Sequence, residues 1–287
     1  MRSGGGAAAA RDWRGRNRAL RFLLIAFCFA FISVMLVLPL CQVLWKAFEF
    51  GVAPFWRSVS DQYAIKALHL SLLTTALAVA CNTSFGICAA WALTRFSFRG
   101  KGLLITLIDV PFAVSPVIAG LVFIMTFGRL GWAYPFLSEH DIKVVFAVPG
   151  LVLATIFVTF PFVAREIIPV LTARGTDEEE AAVLMGAGLL QTFRRVTFPH
   201  IRWALLYGVI LCTARAMGEF GAVSVVSGHL RGRTNTLPLH IEILFREYHT
   251  LESFSCAAIL VAAAVLILVA RNVVEGVSRK DADYYVR

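Results

Sequence analysis

Uncharged apolar runs recur along this chain and set its plan. They occupy residues 22–45, 67–94, 103–127, 144–164, 203–226 and 254–270, with no or few charges inside each. Runs of this size match the ~20 apolar residues that a helix needs to cross a bilayer. They are continuous rather than alternating, and about twice as long as the ~10-residue strands of a membrane barrel. A helix satisfies its own backbone inside hydrocarbon, so each run can cross singly. The pattern predicts an all-α, polytopic membrane protein with six transmembrane helices. Pro111 and Pro116 predict a kink in the third, and Arg215 and Glu219 interrupt the fifth.

Composition agrees with the pattern. Of the 287 residues, 59% are hydrophobic and only 16% charged, against about 45–50% and 25% in soluble domains. That balance excludes a soluble enzyme, a disordered chain and a nucleic-acid binder, although the formal net charge is +9. The charge reports topology instead. With the amino terminus inside, 18 of the 27 Lys and Arg residues fall in cytoplasmic segments, which places both termini in the cytoplasm. The start, a Gly/Ala tail followed by Arg11, Arg14, Arg16, Arg18 and Arg21, looks like a signal peptide. The apolar run after it is too long, and no small-x-small site follows closely, so it reads as an uncleaved first span.

Metal and redox chemistry find little support. The six cysteines (Cys28, Cys41, Cys81, Cys88, Cys212 and Cys256) lie scattered in apolar stretches and read as small buried hydrophobes. The six histidines show no metal-ligand spacing, and there is no GxxxxGK[ST] run for a nucleotide. The chain is therefore read as non-enzymatic, with no cofactor of its own.

The connection between the fourth and fifth spans stands apart. Thr176 followed by Glu179 fits a capping box, and Asp177, Glu178 and Glu179 suit a positive helix end. Gly186 and Gly188 permit a turn. Leu189, Leu190, Phe193 and Val196 then form an apolar stripe that Pro199 closes. Two readings stay open: a short amphipathic helix pair projecting from the membrane, or a capped surface loop anchored at the interface.

Glu180-Ala181-Ala182, three residues, Gly186, nine residues and Val196-Thr197-Phe198-Pro199 resemble the EAA loop of type I ABC importer permeases. The departures, Val for Ile and Phe for Leu, are apolar swaps. Residues 103–123, 156–166, 193–209 and 214–228 are similar to the sulfate/thiosulfate branch of that family, and the likeness covers roughly 22–271. The 215–221 portion is shared with molybdate permeases, which keeps another oxyanion as an alternative. The resemblance implies a MetI-like permease domain over 66–270 with a coupling loop at 176–199, preceded by a basic tail (1–21) and a first span with its outer loop (22–65), and followed by a cytoplasmic tail (271–287). It also implies partners: a CysT-like permease subunit in a heterodimer, two copies of a CysA-like ATPase that uses ATP and Mg, and a periplasmic sulfate- or thiosulfate-binding protein. Glu180 would face the ATPase and Gly186 would allow close packing. A secondary transporter, from a different class, would leave this loop unexplained and would need an inverted repeat that is not visible.

Candidate path residues come from charge and helix breaks. Arg215 and Glu219 lie four apart on one helix face. They are read as a paired, inward-facing set that lines the path or gate, or as a weld to the partner permease. Ser115 and Pro116 are gate candidates, because a proline frees a carbonyl and opens space. Ser224, Ser227 and Gly228 either serve the same end or simply terminate a helix. Asp109 is expected to bond a kinked backbone or to meet a cytoplasmic arginine such as Arg95 or Arg99. Arg231, Arg233, His229 and His240 meet the binding protein, attract the anion or face plain solvent, and Arg194 and Arg195 act as membrane anchors or ATPase contacts.

Overall fold

The structure, a computed structural model, describes residues 20–285; the basic tail at 1–19 lies outside the described residues. In chain order the helices are α1 (Leu20–Phe48), α2 (Val52–Val59), α3 (Gln62–Arg95), α4 (Lys101–Ala113), α5 (Pro116–Phe127) and α6 (Tyr134–Glu139). They continue as α7 (Val148–Thr159), α8 (Pro161–Arg174), α9 (Asp177–Leu184), α10 (Leu189–Met217), α11 (Gly221–Ser227), α12 (Leu237–Arg246) and α13 (Thr250–Tyr285). α1, α3, α7 with α8, α10 and α13 are each long and apolar enough to cross a membrane.

The third run is not one kinked helix. α4 and α5 meet at 108° across a short break. Val114 and Ser115 are extended there, with ψ of 132° and 131°. A residue before proline is pushed out of the α region, so Pro116 starts a new helix instead of bending the old one. The fourth run also departs from expectation. Its helix goes on past residue 164 to Arg174, so Arg165 and Glu166 lie within the helix and not in the connection after it. The fifth splits at Met217, and the sixth extends well beyond residue 270.

α3, α8 and α10 form the centre of the bundle. Ala90, Val163, Ile167, Leu171, Ile201 and Cys212 pack there and are almost fully buried. Small residues let the helices close up: a Cβ built on Gly86 would sit 2.7 Å from Val163 Cγ1, and one on Gly208 3.0 Å from Val163 Cα. Asn82, buried in α3, donates to Thr159 Oγ1 at 2.8 Å. Thr159 in turn donates to the Thr155 carbonyl at 2.7 Å. A polar group deep in an apolar bundle is tolerated when bonded in this way. A second apolar cluster joins α7 and α11 through Ala154, Val158, Ala222 and Val226, with Phe123 and Ile124 of α5 against it. α1 packs on α13, at the edge of the bundle.

The cysteines divide. Cys212 and Cys256 are buried as expected, whereas Cys28, Cys41, Cys81 and Cys88 lie on the outer surface of the helices. Apolar sequence in a bilayer does not imply protein contact, since lipid serves as well.

Candidate functional site

Two regions bring the chemistry together. The first is the connection from α8 to α10. Thr176 precedes α9, but its side chain does not cap the helix; its hydroxyl donates to Glu180 Oε1 at 2.7 Å. Glu179 leaves the expected capping box and turns inward. Its Oε2 lies 2.7 Å from Arg95 Nε, and its side chain and that of Arg95 are only 16% and 10% exposed. Oε1 of Glu179 accepts from Arg95 Nη2 at 3.0 Å and from Thr197 Oγ1 at 2.7 Å. An ion pair with charge-assisted hydrogen bonds outweighs one backbone cap. Arg95 also donates to the Leu171 carbonyl at 3.1 Å, so one guanidinium ties the end of α3 to α8 and to the start of α9.

Removing either partner strands the other charge. Arg95→Ala is expected to destabilise the chain by about 3 kcal/mol, read as a lower Tm in detergent micelles. The apolar pair Arg95→Met with Glu179→Leu should recover most of that loss; an unchanged Tm for Arg95→Ala would refute the link.

Among the residues of the EAA pattern, Ala182 is buried while Glu180, Ala181, Gly186 and Pro199 are exposed. Gly186 has φ of 87°, a left-handed turn that glycine adopts without strain. The tip around it is apolar: Leu184, Met185 and Leu190 are 88%, 83% and 78% exposed. The expected stripe therefore divides, with Leu189 and Leu190 outward and Phe193 and Val196 half-buried. Gly188, Leu189, Leu190, Gln191, Arg194 and Arg195 line an open hollow. Nor does Pro199 close the helix. A π turn at Phe193–Thr197, in which the Phe198 N–H reaches the Phe193 carbonyl, precedes the proline. It shifts the hydrogen-bond register just before a residue that has no donor, and α10 runs on into the fifth span. His200 meets Glu178 at 2.6 Å on the same face.

The second region lies where two breaks meet. α5 begins at Pro116 and α11 at Gly221, and a Cβ on Gly221 would lie 2.9 Å from Pro116 Cβ. Farther along, a Cβ on Gly120 would come within 2.7 Å of the Ala222 carbonyl oxygen. Glycines on both sides thus let the two half-helices touch. Glu219 sits in the second break with a side chain 1% exposed, and its Oε2 lies 2.5 Å from Arg215 Nη1; Arg215 is 34% exposed. Oε1 of Glu219 accepts from the Ala222 N–H at 2.9 Å. One carboxylate therefore begins α11 and holds the arginine. Ser115 is exposed at the first break, and its side chain makes no cap. Ser224 donates to the Gly221 carbonyl at 2.8 Å, within its own helix. Gly228 ends α11 in the left-handed conformation.

Two expectations change. Asp109 does meet an arginine, but Arg165 and not Arg95 or Arg99: its Oδ1 lies 3.0 Å from Nε of Arg165, a contact between α4 and α8 that no local spacing announces. His240 is buried, not turned to a binding protein, and burial together with Arg231 holds its imidazole below the ordinary range. Arg231 is occupied by Glu247. No group of three or more potential metal ligands occurs among the described residues.

A family model described as the binding-protein-dependent transport system inner membrane component matches residues 82–280. The sulfate transport system permease protein CysW of Synechocystis sp. is 46% identical over 256 residues, covering 89% of this chain and 93% of that one. The sulfate transport system permease protein CysT of Salmonella typhimurium is 35% identical, covering 85% of this chain and 88% of that one. Among solved structures, a bacterial ABC transporter that imports the acidic polysaccharide alginate aligns with a TM-score of 0.75, over 94% of this chain and 99% of its own, at 17% identity. That likeness shows the fold.

Proposed function

The chain belongs to the binding-protein-dependent transport system inner membrane components, and from this premise we propose how its geometry serves sulfate import. It is a polytopic inner-membrane permease subunit with the MetI-like ABC importer fold, and it works as a transporter component rather than as an enzyme. Its substrate is sulfate or thiosulfate, and both termini lie in the cytoplasm. A related, CysT-like permease completes the path, consistent with the 35% identity to such a chain. Two copies of a separate, CysA-like ATPase supply ATP hydrolysis with Mg, and a periplasmic binding protein delivers the anion. The permease domain spans 66–270 and carries the coupling loop at 176–199.

The observation that supports this reading best is the meeting of the two breaks. Broken helices expose backbone groups and polar side chains at mid-membrane, where transporters hold their ions. Here the break also holds an arginine whose charge is partly balanced by Glu219 at 2.5 Å. A lone carboxylate would repel a dianion across a low dielectric, whereas the pair leaves one cation accessible and the net charge near zero. Ser115, Pro116, Arg215 and Glu219 form the gate region, and Ser224 stiffens the start of α11. At the cytoplasmic end, Glu180, Ala181, Ala182, Gly186 and Pro199 present α9 and its turn to the ATPase. ATP binding closes the ATPase pair and swings α9. Arg95 and Glu179 carry that motion to α3 and α8, and the path turns outward; hydrolysis resets it.

Reconstituting the chain with a CysT-like permease, the ATPase and the binding protein should give ATP-dependent uptake of labelled sulfate or thiosulfate in excess of molybdate. Uptake that persists without ATPase would instead make the chain a secondary transporter, and a preference for molybdate would move it to another oxyanion.

A further inference from the structure

The Asp109–Arg165 pair lies outside the gate region just described, yet it stands where a charge facing lipid is costly. α4 starts at Lys101 and α8 ends at Arg174. At 1.5 Å per residue, Asp109 and Arg165 sit about 12 and 14 Å in from those basic ends. Their side chains are nevertheless 39% and 54% exposed on the surface of this chain. A charged side chain that far along an apolar helix is costly against lipid, and such residues face a bundle interior or a water-filled cavity. The interior of this bundle is not where these two lie.

We propose that Arg165, held by Asp109, is a binding station for the doubly charged oxyanion on the cytoplasmic half of the path; this rests on the sulfate/thiosulfate reading above. Arg165 Nε lies 3.0 Å from Asp109 Oδ1, and Nη2 donates to Oδ2 at 3.3 Å. The guanidinium carbon stands 4.9 Å from the centre of the Phe112 ring. Nη1 has no acceptor among the described residues. A guanidinium carries five N–H donors, and the aspartate takes one side of the fork. The donors left over face away from Asp109, in a plane braced by Phe112. That rigid fork suits two oxygens of a tetrahedral anion. Covering the pair with an apolar partner surface would bury those donors unpaired, so water and a passing anion are their natural acceptors.

The counter-charge is part of the device. Conduction needs a site strong enough to admit the ion and weak enough to release it, and Asp109 weakens the hold of Arg165 as Glu219 weakens that of Arg215. The two arginines also follow one another along the bundle. α10 packs on α8 with Gly208 against Val163, and Arg215 lies about 10 Å farther along α10 from that contact. The path thus has an outer station at Arg215 and an inner one at Arg165.

The test uses the assembled transporter. Uptake by the unmodified complex is measured first with labelled sulfate and thiosulfate, so a wrong substrate assignment shows there. The anion that is carried serves as the probe thereafter. In a background with Cys28, Cys41, Cys81 and Cys88 changed to serine, Arg165→Cys should react with a membrane-impermeant, positively charged thiol reagent applied from the cytoplasmic face. A position facing lipid or buried under the partner would not react, and that result would overturn the station. Arg165→Gln should lower uptake about tenfold while the chains still co-purify, and Arg165→Lys should retain more. The neutral double variant Asp109→Asn with Arg165→Gln should stay as deficient as Arg165→Gln. Full uptake in the double variant would make the pair a structural weld and sink the proposal.

Discussion

Gly186→Arg should abolish ATP-dependent uptake while the chain still inserts and still pairs with the second permease. The turn at Gly186 has φ of 87°, so any side chain there adds about 1–2 kcal/mol of backbone strain. Strain alone would not stop transport, because a Cβ at Gly186 meets nothing within 4 Å. The damage comes from bulk and charge placed on an apolar tip, between Met185 and Leu190, whose exposure suits docking on another protein. Gly186→Ala carries the same strain without the bulk and should keep most of the uptake. Uptake, co-purification of the ATPase and pairing of the permeases, read in the same vesicles, check this. Normal coupling in Gly186→Arg would remove the turn from the docking surface. Equal damage in Gly186→Ala would assign the defect to backbone strain.

The spans could be read from the chain because hydrocarbon demands long apolar runs whatever the tertiary arrangement. Their breaks were harder to see. Val114 and Phe220 keep the composition apolar straight through both, and only Ser115-Pro116 and Gly218-Glu219 mark the change. Pro116 reads as a kink, but its restriction on Ser115 is strong enough to start a second helix at 108° to the first. Charge does not mark the end of the fourth helix. Arg165 and Glu166 look like a cytoplasmic end by the count of basic residues, yet α8 continues to Arg174. Local rules also lost to distant partners: Glu179 is spaced to cap α9, but Arg95, far away in sequence, sits 2.7 Å from it. The same holds for Asp109 and Arg165, whose meeting depends on how α4 crosses α8. The i,i+4 pair of Arg215 and Glu219 was legible because both charges ride on neighbouring turns, although the bond from Glu219 to the Ala222 N–H needed the break to be seen.

Glu219→Gln should leave the bundle assembled and cut transport by about tenfold, whereas Glu219→Ala should damage assembly as well. Glutamine keeps an oxygen for the Ala222 N–H, which Glu219 now meets at 2.9 Å, so α11 still starts correctly. It removes the negative charge beside Arg215, whose side chain is 34% exposed and can reach water. The arginine then survives unpaired without the full penalty of a buried charge, but its hold on a dianion is no longer balanced, and release becomes slow. Alanine adds to this an open N–H at the start of α11 and a cavity where a side chain 1% exposed had stood. The lost cap accounts for about 1 kcal/mol of the added damage. Uptake at saturating sulfate separates the charge effect, and recovery of the paired permeases from detergent separates the structural one. If Glu219→Gln transports normally, the charge has no part in the path and the pair is a packing device. If Gln and Ala lose assembly alike, the carboxylate charge, and not the cap, holds the break together.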